Sequence, residues 1–294
     1  MPDNQPLATP LNQGNFFNLD GASVLALDGP DAVAFAHAQF ASDVARLGVS
    51  HWQWSVWLNP KGRVIVVFAL VRTAEQSLRL VLPDAGADVL GDALRRFVFR
   101  RKLTLAPRPD LHLAGAFAAP AEAVGARAAG DEDAAAGIEL DLGVAGAPRT
   151  LRIGRTAAAS DPVAVESWAA ADLRAGLPRL PEAQCEQWTP QQLGLERLDA
   201  YSVSKGCYPG QEIVARTHFL GKAKRELLLL QVTGATAAGA EVMQDGRAAG
   251  TVVSAAGQAP RLALAVLPLE RPASPLVVDG LAATTVPFVT GLAR

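Results

Sequence analysis

Lys205-Gly206-Cys207-Tyr208-Pro209-Gly210-Gln211-Glu212 is the most unusual stretch of this chain, and an apolar run, Ile213-Val214-Ala215, follows it. Two glycines bracket a cysteine, and Pro209 or Gly210 can open a short helix beyond it. That arrangement sets Cys207 just ahead of unpaired backbone N–H donors. A thiolate gains from their partial positive charge and from the ammonium of Lys205, so the pattern suits a functional thiol. Chemistry alone leaves a second reading open, a small inert cysteine buried in a glycine-rich bend.

Working outward, Asp28-Gly29-Pro30-Asp31 reads as a turn and N-cap, and the apolar spacing from Val33 to Leu47 predicts a helix over 31–47. His51–Leu58 and Arg63–Arg72 are β-rich runs joined by the turn residues Asn59-Pro60-Lys61-Gly62, a hairpin. A strand over Ser77–Leu82, a helix over Ala85–Phe97 and a strand over Arg101–Ala106 complete a β-β-β-α-β order, which argues α+β. Strands are predicted at 111–118, 137–142 and 150–155, then a helix from Pro162 to about Ala175, stopped by Gly176-Leu177-Pro178. A further short helix is expected to begin at Thr189-Pro190. From Lys224 on, six short β runs (225–232, 240–244, 247–255, 261–267, 276–278 and 282–288) suggest a small C-terminal β-barrel.

The chain has 294 residues and is 50% hydrophobic, enough for two or three domains. Its formal net charge of −2 gives no bulk attraction to nucleic acid or anionic lipid. The only cysteines are Cys185 and Cys207, too few for a disulfide framework, and no zinc spacing accompanies them. A reducing, cytoplasmic location is expected. Residues 1–13 read as a flexible tail without signal-peptide character, and no apolar run is long enough to span a bilayer.

The motif, continued through Arg216, resembles the signature of the YgfZ folate-binding family, relatives of the glycine cleavage T protein, an aminomethyltransferase. Pro190-Gln191 upstream and Gly221-Lys222 with Lys224-Arg225 downstream match as well. So do Gly29, Asp31, Gln39 and Asp43 around the first helix, and Lys61-Gly62 in the hairpin. The resemblance implies a T-protein-like α+β fold: two mixed units around a central channel plus the barrel. It divides the chain into a discontinuous domain, 14–49 with 108–216, an inserted domain, 50–107, and a barrel, 217–294. It implies that tetrahydrofolate or a derivative binds in the channel, with Trp168, Arg174, Tyr208, Gln211 and Arg216 around it. Cys207 would supply the thiol chemistry, assisted by Lys205, with Gly206, Gly210 and Glu212 shaping the motif. The expected role is assembly or repair of iron–sulfur proteins, supporting tRNA modification indirectly, with iron–sulfur clients or assembly machinery as partners. No permanently bound metal and no membrane partner are expected.

Three departures from the T-protein pattern bear on activity. Val66-Val67 stand where the T protein has paired aspartates, and an apolar pair cannot act as a general base. The alternative function, aminomethyl transfer to a small amine, is therefore disfavoured. Arg174 stands where relatives have a pterin-binding glutamate, with Asp172 two residues earlier. Gly194-Leu195 replaces an Asn-Leu pair.

Other residues have plainer readings. His37, His51, His112 and His218 are scattered without metal-ligand spacing. Trp52 and Trp54 share one strand face and Trp57 takes the other, which suits core packing, with a channel wall as the alternative. Glu212 and Arg216 have i, i+4 spacing for a surface ion pair. Arg95-Arg96 with Arg100-Arg101-Lys102 form the densest basic cluster, either a solvated helix end or a contact for tRNA phosphates or for the glutamate tail of folate. Lys222, Lys224 and Arg225 form a smaller one.

Overall fold

A computed structural model describes residues 15–221 and 223–294; the expected tail over 1–13 and Lys222 of the second basic cluster lie outside the described residues. The N-terminal two thirds of the chain holds two five-stranded antiparallel sheets, and the C-terminal part is a closed barrel. The first sheet contains β1 (Phe17–Asn18), β7 (His112–Ala116), β8 (Ala129–Gly130), β9 (Ile138–Asp141) and β10 (Thr150–Gly154), in the order β1-β7-β10-β9-β8. The second contains β2 (Ser23–Asp28), β3 (His51–Leu58), β4 (Val64–Ala74), β5 (Ser77–Leu82) and β6 (Thr104–Pro107), in the order β3-β4-β5-β2-β6. The barrel runs β11 (Arg225–Val232), β12 (Glu241–Gln244), β13 (Arg247–Ala256), β14 (Arg261–Pro268), β15 (Leu276–Val278) and β16 (Leu281–Val286), and β11 pairs with both β14 and β16 to close it. The helices are α1 (Ala32–Gln39), α2 (Ala87–Arg95), α3 (Pro162–Arg174) and α4 (Gln211–Phe219).

The α+β class and the terminal barrel are as the sequence implies. Three local expectations need correction. The helix predicted over 31–47 stops at Gln39, because Phe40 turns extended and Ala41 donates its N–H to Val56, so the following residues bury themselves along β3. Only a 3₁₀ turn, Val44–Arg46, remains helical there. The helix expected from Thr189 is a series of turns leading to a 3₁₀ segment, Leu195–Leu198, since Gly194 enters the left-handed region at φ +58°. Third, β2 has no counterpart among the predicted strands. It lies between β5 and β6, its middle residues are buried on both faces, and such a strand shows no alternation. Ser23–Asp28, grouped from sequence with 108–216, thus hydrogen-bonds into the sheet of the 50–107 segment.

Alternation in the second sheet feeds two cores. Trp52, Trp54, Val56 and Val67 face inward to the junction of the sheets, α3 and the barrel, while Trp57, Val66 and Phe68 face α1 and α2. The three tryptophans divide as their spacing predicts, and the two indoles at the junction are satisfied as core groups. Trp52 Nε1 donates to the Gly125 carbonyl at 3.0 Å and Trp54 Nε1 to the Leu292 carbonyl at 2.8 Å. The barrel repeats the device: Leu230 and Val232 point into it, whereas Leu227 and Leu229 join the shared junction core.

Candidate functional site

The motif loop lies where α4 begins. Gly210 caps that helix in the left-handed conformation, φ +79°, which glycine adopts at no steric cost. Its backbone touches the β3–β4 hairpin turn: a Cβ at Gly210 would stand 2.6 Å from the Asn59 carbonyl oxygen and 2.7 Å from Gly62 Cα. Gly62, also left-handed at φ +68°, is hemmed by Ile213 in return. The turn is itself tied down, since Asn59 Oδ1 accepts from the amides of Lys61 and Arg63 at 2.9 and 3.0 Å. Gln191 completes the support by donating to the Val214 carbonyl at 2.9 Å. Three separated stretches singled out by the resemblance, Lys61-Gly62, Pro190-Gln191 and the Cys207 motif, thus meet at one place.

Within that support Cys207 is exposed, which removes the buried-cysteine reading. Cys185 is half-buried, and burial pushes its thiol pKa up. Tyr208 is buried, its hydroxyl donating to the Ser202 carbonyl at 2.8 Å, and burial raises its pKa to about 12. Gln211 donates to the Lys205 carbonyl at 3.1 Å. Tyr208 and Gln211 therefore hold the loop in shape. Glu212 and Arg216 are both exposed, and the pair expected from their spacing is not formed.

Lys205 reaches across to α1. Its ammonium is buried and donates to the His37 and Phe40 carbonyls at the C-terminal end of α1, with Tyr208 stacked 4.9 Å away. It serves as a C-terminal cap for α1. Burial lowers its pKa to about 8. This brings up a residue that the sequence reading dismissed. His37 Nε2 lies 3.8 Å from where a Gly206 side chain would begin, while its Nδ1 accepts from the Ala45 amide at 3.2 Å. Burial first, then the Lys205 charge, lowers the His37 pKa. No spacing signal links residues so far apart in sequence.

The folate assignments fare unevenly. Trp168 is 3% exposed, packed edge-on by Phe17 and Phe117 and covered by the Arg149 guanidinium at 4.7 Å, so its ring is spent in the core. Asp172 is spent too, in a buried ion pair with Arg149 at 2.7 Å and a longer contact to Arg179 at 3.4 Å. Arg174 is only partly buried, and its carbonyl accepts from the Val289 amide. The Trp168 ring and the Asp172 carboxylate thus already have partners within the protein. An orphaned donor set does stand nearby. Arg197 stacks on Phe288 at 3.8 Å, and its Nε and Nη2 are buried with no partner among the described residues. Its guanidinium fills the space beside Gly194 and Gly176, where a Cβ would come within 2.8 and 2.7 Å of Nη2. A side chain at 194 would therefore compete with this arginine for space. Burial lowers the Arg197 pKa. At positions 66 and 67 the valine side chains are buried on opposite faces of β4, so no acid–base group stands there. Among the described residues no group of His, Cys, Asp and Glu could hold a metal ion, and no helix is long and apolar enough to cross a membrane.

Residues 224–289 match the family described as CAF17, C-terminal beta-barrel domain. The barrel resembles a CAF17-type domain. Over more of its length the chain is similar to YgfZ-type proteins. It is 28% identical over 281 residues to the tRNA-modifying protein YgfZ of Serratia proteamaculans, covering 87% of this chain and 84% of that one. It is 29% identical over 242 residues to the human mitochondrial iron-sulfur cluster assembly factor IBA57, covering 72% of this chain and 64% of that one. In three dimensions it resembles the glycine cleavage system aminomethyltransferase T of Bartonella henselae, with a TM-score of 0.70 at 16% identity over 93% of this chain and 84% of that one. The YgfZ resemblance and the T-protein fold read from sequence both stand; at that identity the last likeness speaks for the fold alone.

Proposed function

We propose that this YgfZ-like chain is an accessory protein for the assembly or repair of iron–sulfur proteins, acting through Cys207 and supporting tRNA modification through its clients. The observation that carries the reading is an exposed cysteine on a loop pinned by Lys205, Tyr208, Gln211 and two abutting glycines. A thiol held out on a rigid support can meet a cluster or a client cysteine without first ordering the loop. The names of the YgfZ and IBA57 relatives agree with this. In a strain lacking the gene, the wild-type protein is expected to restore iron–sulfur enzyme activities and the Cys207→Ala protein is not. Full rescue by that variant would sink the proposal.

A reduced folate is the ligand the resemblance implies, and its carbonyl and carboxylate acceptors suit the unpartnered Arg197 donors better than they suit Trp168 or Arg174. Calorimetric titration with tetrahydrofolate is expected to show binding that Arg197→Ala weakens tenfold or more. The alternative, aminomethyl transfer, is disfavoured by the buried valines at 66 and 67.

A further inference from the structure

The run Arg95-Arg96-Phe97-Val98-Phe99-Arg100-Arg101-Lys102 leaves α2 in consecutive turns and leads into β6. Its inner side is firmly built. Val98 and Leu103 pack on the core of the second sheet, and the Phe97 ring meets Trp57 edge-on at 6.1 Å. At the far end the Asp31 carboxylate accepts from the Lys102 amide at 2.6 Å, and the Lys102 carbonyl accepts from the Asp31 amide at 3.2 Å. Gly29, at φ +135°, lies so close that a Cβ would stand 2.5 Å from that carbonyl.

The outer side presents an unusual combination. Phe99 is 90% exposed, and its φ of +46° is costly for an aromatic residue. Arg96, Arg100, Arg101 and Lys102 are exposed around it, and none forms an ion pair among the described residues, whereas Arg95 is matched by Asp92. A bare phenyl ring gains nothing from water, and four neighbouring cations repel one another. A nucleotide strand satisfies both, because phosphates neutralise the cations and an unpaired base stacks on the ring. An anionic membrane suits the segment less well, since Ala87, Leu90 and Leu94 of α2 point into the protein and the exposed apolar side chains, Val89, Phe97 and Phe99, do not make the continuous apolar face of an inserting helix.

We propose that residues 95–102 are a contact site for single-stranded RNA, with Phe99 as the stacking platform and Arg96, Arg100, Arg101 and Lys102 as phosphate ligands. This site is separate from Cys207, so either proposal can fail alone. The test is fluorescence anisotropy of the full chain with a labelled single-stranded RNA of about 12 nucleotides at several salt concentrations, with thermal melts confirming that each variant folds. Phe99→Ala is expected to weaken binding about tenfold, in line with the loss of one stacked base. The double variant Arg100→Glu, Arg101→Glu should weaken it more and flatten the log–log salt slope by about 1.4, at about 0.7 per phosphate contact. Unchanged affinity in both variants overturns the site. A loss in the charge variant alone overturns the stacking role and leaves only diffuse electrostatics. Phe99-dependent binding to phosphatidylserine vesicles without RNA binding overturns it in favour of a membrane.

Discussion

At the scale of single residues, Lys205 shows how a side chain beside a functional group can serve the fold. Its ammonium is out of water and bonded to carbonyls that α1 cannot satisfy internally. Lys205→Met is expected to cost about 1–3 kcal/mol, since those carbonyls lose a charged donor. Because the folded-state pKa, about 8, lies below that of an unfolded lysine, the unfolded chain holds more protons between about pH 8 and 10.4. Wild-type stability therefore rises across that window relative to the variant. Urea unfolding of both proteins at pH 7.5 and 9.5 checks the sign; a gap that shrinks at the higher pH would contradict the assignment.

At the scale of elements, the contact between the β3–β4 turn and the start of α4 depends on two backbones approaching without side chains between them. Gly210→Ala places a methyl group against the Asn59 carbonyl and Gly62 at a positive φ. Strain and overlap together should cost more than about 2 kcal/mol. Gly246→Ala in the β12–β13 turn supplies the contrast. It has a similar φ, +73°, but nothing within 4 Å of the added atom, so only the conformational cost of about 1 kcal/mol applies. Denaturant midpoints of the two variants should separate accordingly, and equal losses would mean that the Gly210 contact contributes nothing. The basic loop after α2 obeys the same logic, with Gly29 allowing the close approach that holds one end.

At the scale of the molecule, the two sheets are joined by an ion network as well as by the shared core. Glu132, just after β8, accepts two hydrogen bonds from Arg79 of β5 at 2.7 and 2.8 Å and one from Arg108 at 2.9 Å. Those bonds, Arg79 first, hold its carboxyl down to about pKa 2. A depressed carboxylate contributes stability that is present above its unfolded pKa and is lost as the pH falls from about 4.3 toward 2. Glu132→Gln should therefore be clearly destabilised at pH 7, and its deficit relative to wild type should close on acidification. Unfolding curves at pH 7, 4 and 2.5 would show this, whereas a constant deficit would place the network outside the pH response.

The sequence by itself determined the period-2 barrel strands, the hairpin about Asn59–Gly62, the division of Trp52 and Trp54 from Trp57, and the motif that ties the chain to YgfZ-like proteins. These are local patterns of alternation, turn chemistry and spacing, and the chain expresses them wherever it folds. Only the tertiary structure decided where β2 sits, that Trp168 and Asp172 are consumed by Arg149, and that Lys205 reaches α1. It alone brings His37 beside Gly206, leaves Arg197 Nε and Nη2 without hydrogen-bond partners among the described residues, and exposes Phe99. Those outcomes turn on which side chains from distant segments compete for the same space or the same proton, and no local pattern records that competition.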